Sequence, residues 1–299
     1  MITDPPDLPD DGAARGNGPV PPVSTFAQRP TSPMSSAPRP IQVDLLRRNG
    51  PLWFAHHLLA VTAQAVAARN LARSRALEER YGLPGTNTVR VNRTVWQRWD
   101  WSNGGREWTP STEWQTALVE EFVLAHPESA GTVLEVGPGG GRWTVPLAGR
   151  ARDVVLVDIA PAVLEHCWRL LGSAVRAEYV LTDGRSLPGV PDRTVDFVFS
   201  FDCFVHVAPA DFAAYAAEFA RVVRDGGVLV LHHPDRRTGR GWRSALTTEH
   251  VRSALTAQGF AVLRVCDRWG SHGQFGVDGY RDAITVARKK PVGRTETDG

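Results

Sequence analysis

The residues whose types and spacing can do chemistry are Glu135, Asp158 and three histidines. Glu135 follows the apolar pair Val133-Leu134 and stands two residues ahead of Gly137-Pro138-Gly139-Gly140-Gly141. Glycines at 137, 139 and 141 permit positive φ and let the backbone approach a ligand with no Cβ in the way. Asp158 ends a second apolar run, Val154 to Val157, 21 residues after Gly137. An acid at such a strand tip can accept hydrogen bonds from both hydroxyls of a ribose. His206, His232 and His233 follow later apolar runs, and imidazole is the side chain whose proton moves near neutral pH. A dinucleotide-binding turn, Gly-x-Gly-x-x-Gly, needs its last glycine at position 142, where this chain has Arg142. The pattern present is acidic-x-Gly-x-Gly-x-Gly, from Glu135 to Gly141.

These positions need strands that end on one edge. Ser111 is placed to cap a helix carrying Leu118, Val119, Phe122 and Val123. A strand over 132–136, a helix over about 142–149 and a strand over 153–157 follow. Pro161 opens the next helix, since proline is tolerated in a first turn. A third strand near 178–181 ends at Thr182-Asp183-Gly184, and a fourth runs from Val195 to Phe201. Pro209 starts an Ala-rich helix to about Arg224, closed by Asp225-Gly226-Gly227. A strand over 228–231, a helix over 247–258 ended by Gly259, and strands over 260–266 and 282–287 complete the pattern. Strands alternating with helices predict an α/β, doubly wound, mostly parallel sheet of seven strands. The last two, with no helix between them, predict a hairpin-like pair. His206, His232 and His233 then fall on the carboxyl edge, where such sheets bind ligands.

The acidic-x-Gly-x-Gly-x-Gly turn, Asp158 and Asp183-Gly184, at three successive strand ends, resemble the motifs of class I S-adenosylmethionine-dependent methyltransferases. The resemblance covers roughly residues 92 to 290. It implies the Rossmann-like methyltransferase fold, whose final strand is antiparallel, and S-adenosyl-L-methionine as cofactor. Under it Gly137, Gly139 and Gly141 lie beside the methionine part and Glu135 serves the ammonium. Asp158 takes the ribose hydroxyls, Ile159 packs on the adenine face, and Asp183 and Gly184 meet the adenine amino group. Phe201 and Asp202 flank the reacting methyl group. Trp99-Asp100-Trp101-Ser102, then Gly105-Arg106-Glu107-Trp108-Thr109, resembles the segment ahead of the first motif in a bacterial subgroup found among glycan and specialised-metabolite pathways.

The implied reaction is in-line transfer of a methyl group to an acceptor, an O-methylation if the acceptor is a hydroxyl of a sugar or specialised metabolite. It requires alignment, exclusion of water and a base for the departing proton. His206 and His232 are the candidate bases, and Asp202 is a candidate catalytic or orienting carboxylate. Trp101, Trp108, His233, Trp242 and Arg243 are candidate substrate contacts. Side chains alternate along a strand, so only one of His232 and His233 is expected to face the site. A peptide, carboxylate or amine acceptor is the alternative. Intact Glu135, Gly137, Gly139 and Asp158 argue against a cofactor-binding subunit without catalysis. No metal set is assigned.

Ahead of this domain, residues 1–40 hold ten of the 22 prolines, and such a segment is expected to be a disordered tail. Residues 41–110 are expected to be a helical and Trp-rich extension, residues 111–290 the cofactor-binding domain, and 291–299 a flexible tail. Within the extension, Val43 to Leu46 starts a short helix that Asn49-Gly50-Pro51 interrupts, and a long helix runs from about Leu52 to Arg80. That helix is a candidate lid, homodimer contact or membrane-surface helix. Trp96, Trp99, Trp101, Trp108 and Trp114 crowd a stretch without helix or strand periodicity. They are suited to stacking on adenine, to cradling a sulfonium, to receiving a sugar ring, or to forming a satellite core.

Composition narrows the classes. The 299 residues are 42% hydrophobic and carry a net charge of only +2, so no nucleic-acid footprint is expected. All basic residues but Lys289 and Lys290 are Arg. Cys167, Cys203 and Cys266 are odd in number and far apart, which favours neither disulfides nor a thiolate metal site. No secretory pattern and no run of about 18 uncharged apolar residues is present, so a cytoplasmic location and no stable membrane insertion are expected. A small-molecule acceptor is the expected partner.

Overall fold

A computed structural model describes residues 39–81, 85–173, 175–235 and 243–291. The two expected tails fall outside these residues, save for 39, 40 and 291, as does Trp242. The chain divides into two units, 1–66 and 67–299. Helix α1 (Arg39–Tyr81) begins in the first unit and leaves helical geometry at Gly50, whose φ is 80° and ψ 164°. Pro51 lacks an N–H and disfavours helical geometry at the residue before it, and glycine there tolerates the positive φ. The expected interruption at Asn49-Gly50-Pro51 is therefore present. Further along α1, Trp53 and His57 stack at 4.7 Å.

The second unit holds α2 (Val89–Arg98), α3 (Thr112–Val119), β1 (Thr132–Val136), α4 (Thr144–Ala148), β2 (Asp153–Asp158) and α5 (Pro161–Leu171). β3 (Ala177–Leu181), β4 (Val195–Ser200), α6 (Pro209–Val222), β5 (Val223–Pro234) and α7 (Thr248–Ala257) follow. β6 (Phe260–Cys266), β7 (Arg268–Trp269), β8 (Phe275–Gly276) and β9 (Asp282–Lys289) end it. Seven strands form one sheet in the order β3-β2-β1-β4-β5-β9-β6. β9 runs antiparallel to both β5 and β6, and the pairs among β1 to β5 are parallel. This is the Rossmann-like methyltransferase architecture, with the antiparallel last strand.

The central strands β1, β2 and β4 are buried on both faces, which is why they read as mostly apolar runs, whereas the edge strands β3 and β6 are partly exposed. Along β1 and β5, alternate residues enter opposite cores. Leu134, Leu229 and Leu231 join Phe204, Phe212 and Phe219. Val133, Val228 and Val230 join Trp114, Trp143, Phe197 and Trp269. Strand order reverses between β1 and β4, and ligands of open α/β sheets bind at such a switch point, beyond the carboxyl ends of the strands. Ser111 Oγ accepts from Trp114 N–H at 3.1 Å and caps α3, as expected. Lys289, nearly buried, donates from Nζ to Ala220 O at 2.5 Å and Val223 O at 2.7 Å, meeting the carbonyls at the end of α6.

Three elements differ from expectation. Residues 89–98 form a helix, with Thr88 Oγ1 accepting from Val91 N–H. Asp225-Gly226-Gly227 lies inside β5 instead of closing α6, at an irregularity in register against β4. The short hairpin β7–β8 stands in the connection between β6 and β9, which pair antiparallel as expected. No described helix is long and apolar enough to cross a membrane.

Candidate active site

The turn after β1 sets the site. Gly137, Gly139 and Gly141 have φ of 74°, 54° and 84°, a region open to glycine but disfavoured for other residues. Behind the turn, Glu135 is buried and its Oε2 accepts from the Thr144 hydroxyl at 2.6 Å. Burial pushes its carboxyl up to about 8, with Thr144 and Arg142 opposing. At the tip of β2, Asp158 is also buried, and its Oδ1 accepts from Ala160 N–H at 2.8 Å. Burial raises it to about 7. Two carboxyls at adjacent strand ends are thus held close to neutral, and either one ionises readily once a cation or hydroxyl donor faces it.

The third strand end brings Asp183 and Gly184. Asp183 is exposed, and its Oδ1 accepts from Arg185 N–H, Ser186 N–H and the Ser186 hydroxyl. Those N–H groups hold its carboxyl below the usual range. Its side chain therefore fastens its own turn. Gly184, with φ of 89°, is closed in by Val89 and Ile159, so a Cβ there would stand 2.8 Å from Val89 Cγ2 and 3.5 Å from Ile159 Cγ2.

Helix α2 and the Trp segment lie directly on these strand ends. Asn92 Nδ2 donates to His206 O at 2.8 Å, Arg93 Nη2 to Thr182 O at 3.3 Å, and Gln97 Oε1 accepts from Ala162 N–H at 3.1 Å. Trp101 meets Gly139, and a Cβ on Gly140 would fall 2.5 Å from the Gly104 carbonyl carbon. Trp96, Trp99, Trp101 and Trp108 pack against one another with centroids 5.3 to 6.4 Å apart. Rings that close leave no gap for a ligand between them, so the four make a small core, and Trp99 and Trp108 keep about two-fifths of their surface exposed. Trp114 is not among them. It lies in the core with Trp143, Phe201 and Trp269.

The histidines separate clearly. His206, partly exposed just past β4, lies against Trp96 with ring centroids 5.3 Å apart. His233 is fully buried, with Nδ1 2.8 Å from Pro234 O and Nε2 2.7 Å from Thr285 Oγ1. Burial pushes it down to about 4. Both of its nitrogens are engaged within the sheet, which corrects the expectation that it contacts substrate. His232 is nearly buried beneath Phe201, whose ring stacks on it at 4.1 Å and 15°. Its Nδ1 lies 3.2 Å from Asp202 Oδ1 and 3.1 Å from Asp202 N, and its Nε2 lies 3.4 Å from Asp282 Oδ2. Burial disfavours its cation, but the two carboxylates outweigh that and raise its pKa. An imidazole so enclosed steadies Asp202, and this corrects the expectation of His232 as a base facing an acceptor.

Asp202 itself takes a left-handed φ of 62° just after β4, uncommon for a non-glycine residue. Arg142 Nη2 donates to its Oδ2. Burial works to raise this carboxyl, but His232 and Arg142 hold it well below the usual range. Arg142 also donates from Nη1 to Thr109 Oγ1 at 3.2 Å, and its guanidinium lies 4.8 Å from the Trp143 ring centroid. Sequence reasoning read Arg142 only as a missing glycine. Its position directly after the turn was the one available signal. Arg243, expected to contact substrate, donates from Nη2 to the buried Asp282 at 2.7 Å. Trp242 lies outside the described residues.

Residues 134–231 match a family model described as a methyltransferase domain. A Mycolicibacterium smegmatis protein named a probable S-adenosylmethionine-dependent methyltransferase is 34% identical over 141 residues, which are 45% of this chain and 51% of that protein. Thiocyanate methyltransferase 1 of Brassica oleracea is 26% identical over 169 residues, 55% of this chain and 73% of that protein. Among solved structures, a S-adenosylmethionine-dependent methyltransferase from Leishmania major has the same fold. Its TM-score is 0.52 at 15% identity, over 67% of this chain and 82% of that one. The chain spans about half the length of the mycobacterial relatives it matches.

Proposed function

We propose that this chain, whose residues 134–231 match a methyltransferase-domain model, is a class I S-adenosylmethionine-dependent methyltransferase that methylates a hydroxyl of a small molecule, a sugar or specialised metabolite. The observation that carries the reading is the pairing of a glycine cradle with two buried, near-neutral carboxyls at the switch point. The residues present suit the cofactor. A Cβ at 137, 139 or 141 would press on Cys203, Trp101 and Leu170 respectively, so only glycine lets the turn pack this closely beside the strand ends. Glu135 is the acid for the ammonium, and Asp158 for the ribose hydroxyls. Ile159, Gly184 and Val89 form an apolar wall for the adenine.

When bound, S-adenosylmethionine supplies an electrophilic methyl group on a sulfonium. The chain's own residues do the rest. Phe201 and Asp202 border the reacting centre, and Arg142 fixes Asp202. His206, accessible and resting on Trp96, accepts the proton of the acceptor hydroxyl. Helix α2 and the four packed indoles exclude water above the glycine turn.

Incubating the protein with labelled S-adenosylmethionine and a panel of glycosylated metabolites tests the proposal. Label is expected in a hydroxyl of at least one of them, and His206→Ala is expected to slow transfer by about a hundred-fold or more while leaving cofactor affinity unchanged. Transfer to amines or carboxylates alone would overturn the O-methylation reading.

A further inference from the structure

Five charged groups stand in line behind the tip of β4. Arg142 ends the glycine turn and binds Asp202. Asp202 faces His232 on β5 at 3.2 Å, and His232 faces Asp282, the first residue of β9, at 3.4 Å. Asp282 is bound by Arg243 at 2.7 Å. The signs alternate from end to end when His232 carries its proton. The His232 and Asp282 side chains are 1% and 0% exposed, whereas Asp202 retains 29%. The line thus runs from the sheet interior to one carboxylate at the edge of the site.

Stability alone does not account for it. Well-packed apolar residues of similar volume commonly serve a buried space at least as well as ion pairs do. The open end instead sits on Asp202, whose left-handed backbone persists only where its surroundings over-determine it. His232 Nδ1 meets both the Asp202 carboxylate and the Asp202 N–H. Protonated, it donates to the carboxylate. Neutral at Nδ1, it accepts from the N–H and no longer donates to Oδ1, leaving Asp202 held by Arg142 through its other oxygen, Oδ2. The groups around it are Asp202 from the tip of β4, Asp282 from β9 and the adjacent His233 on β5. Of these, only the two aspartates favour the protonated ring.

We infer that Asp282 and Arg243 are positioning residues, which act through His232 to hold the Asp202 carboxylate and, with it, Arg142 against the glycine turn. The inference rests on the cofactor reading of the site above. It makes affinity for S-adenosylmethionine depend on a carboxylate that no ligand touches.

Calorimetric titration with S-adenosylmethionine tests this on wild type, Asp282→Asn and His232→Gln, with Thr285→Val as a control. Thr285 lies on the same strand and binds His233, outside the line. Both substitutions in the line are expected to weaken binding, by about ten-fold, and their double variant by no more than either alone. Thr285→Val is expected to lower the unfolding temperature without changing affinity. Nitrogen-15 NMR of the imidazoles is expected to find His232 protonated at neutral pH in wild type and neutral in Asp282→Asn. Unchanged affinity in a folded Asp282→Asn, or an unchanged His232 charge state there, would overturn the inference. Failure of the wild type to bind would instead overturn the cofactor reading, and the NMR comparison would still decide the role of Asp282.

Discussion

Gly140 is confined to glycine by a neighbour and not by its own backbone. Its φ is not among the positive ones, yet a Cβ there would stand 2.5 Å from one backbone atom of Gly104 and 2.6 Å from another. Gly140→Ala therefore keeps an allowed conformation and pushes the Trp segment off the turn. Overpacking of this kind costs about 1–3 kcal/mol. Thermal unfolding should show that loss, and intrinsic fluorescence should shift because the displaced rings are indoles. Gly141→Ala should cost more, because it adds left-handed strain of about 1–2 kcal/mol to a contact with Leu170. At this scale the sequence was legible where chemistry and local backbone coincide. Glu135, Asp158 and the glycines announced themselves by spacing. Arg142 did not, since its partner Asp202 lies 60 residues on and meets it only across the switch point. Alternation separated His232 from His233, but which of them faces Asp202 depended on how β5 lies against β4, whose end carries Asp202.

The central strands were readable because both of their faces are covered, and strand ends fell within a residue or two of the expected positions except in β5, which runs five residues earlier and three later than expected. Helix α2 was not readable. It buries no side chain completely, and besides Val89 at Gly184 and Trp96 at His206 its contacts with the strand ends are hydrogen bonds donated by Asn92 and Arg93 and accepted by Gln97. Strands of two residues, β7 and β8, are too short for any period to show. The cap at Thr88 gives a handle on α2. Thr88→Ala should cost about 1 kcal/mol. Amide exchange over residues 89–98 should accelerate, while β1 and β4 stay protected. Equal acceleration throughout the sheet would mean that α2 is not a separable cover.

Across the whole molecule, Glu135, Asp158 and His232 share one sign of linkage. The folded pKa of each lies above its unfolded value. Stability from these groups is complete below the unfolded values and is lost as pH rises through the folded ones. His233 has the opposite sign, but its contribution is complete above 6.5, the ordinary value for histidine. From about pH 6.5 to 8, therefore, the unfolding temperature should fall. Ligand binding should reverse part of this trend. Ionising Glu135 and Asp158 against an ammonium and a pair of hydroxyls releases protons, so calorimetry in two buffers of different ionisation enthalpy should detect proton release near neutral pH. Proton uptake on binding would contradict the roles given to these carboxyls.

The place of β9 governs when this molecule becomes competent. Residues 282–289 are inserted between β5 and β6, and no earlier stretch can take that place. While a ribosome has yet to deliver them, the chain already carries Glu135, Asp158, Asp202 and His206, but β5 and β6 each expose an unpaired edge to any other strand nearby. Asp282 arrives as the first residue of that same strand, so closing the sheet and bracing the Asp202 carboxylate happen together. The strand that closes the sheet is thus also the one that brings the brace of the site.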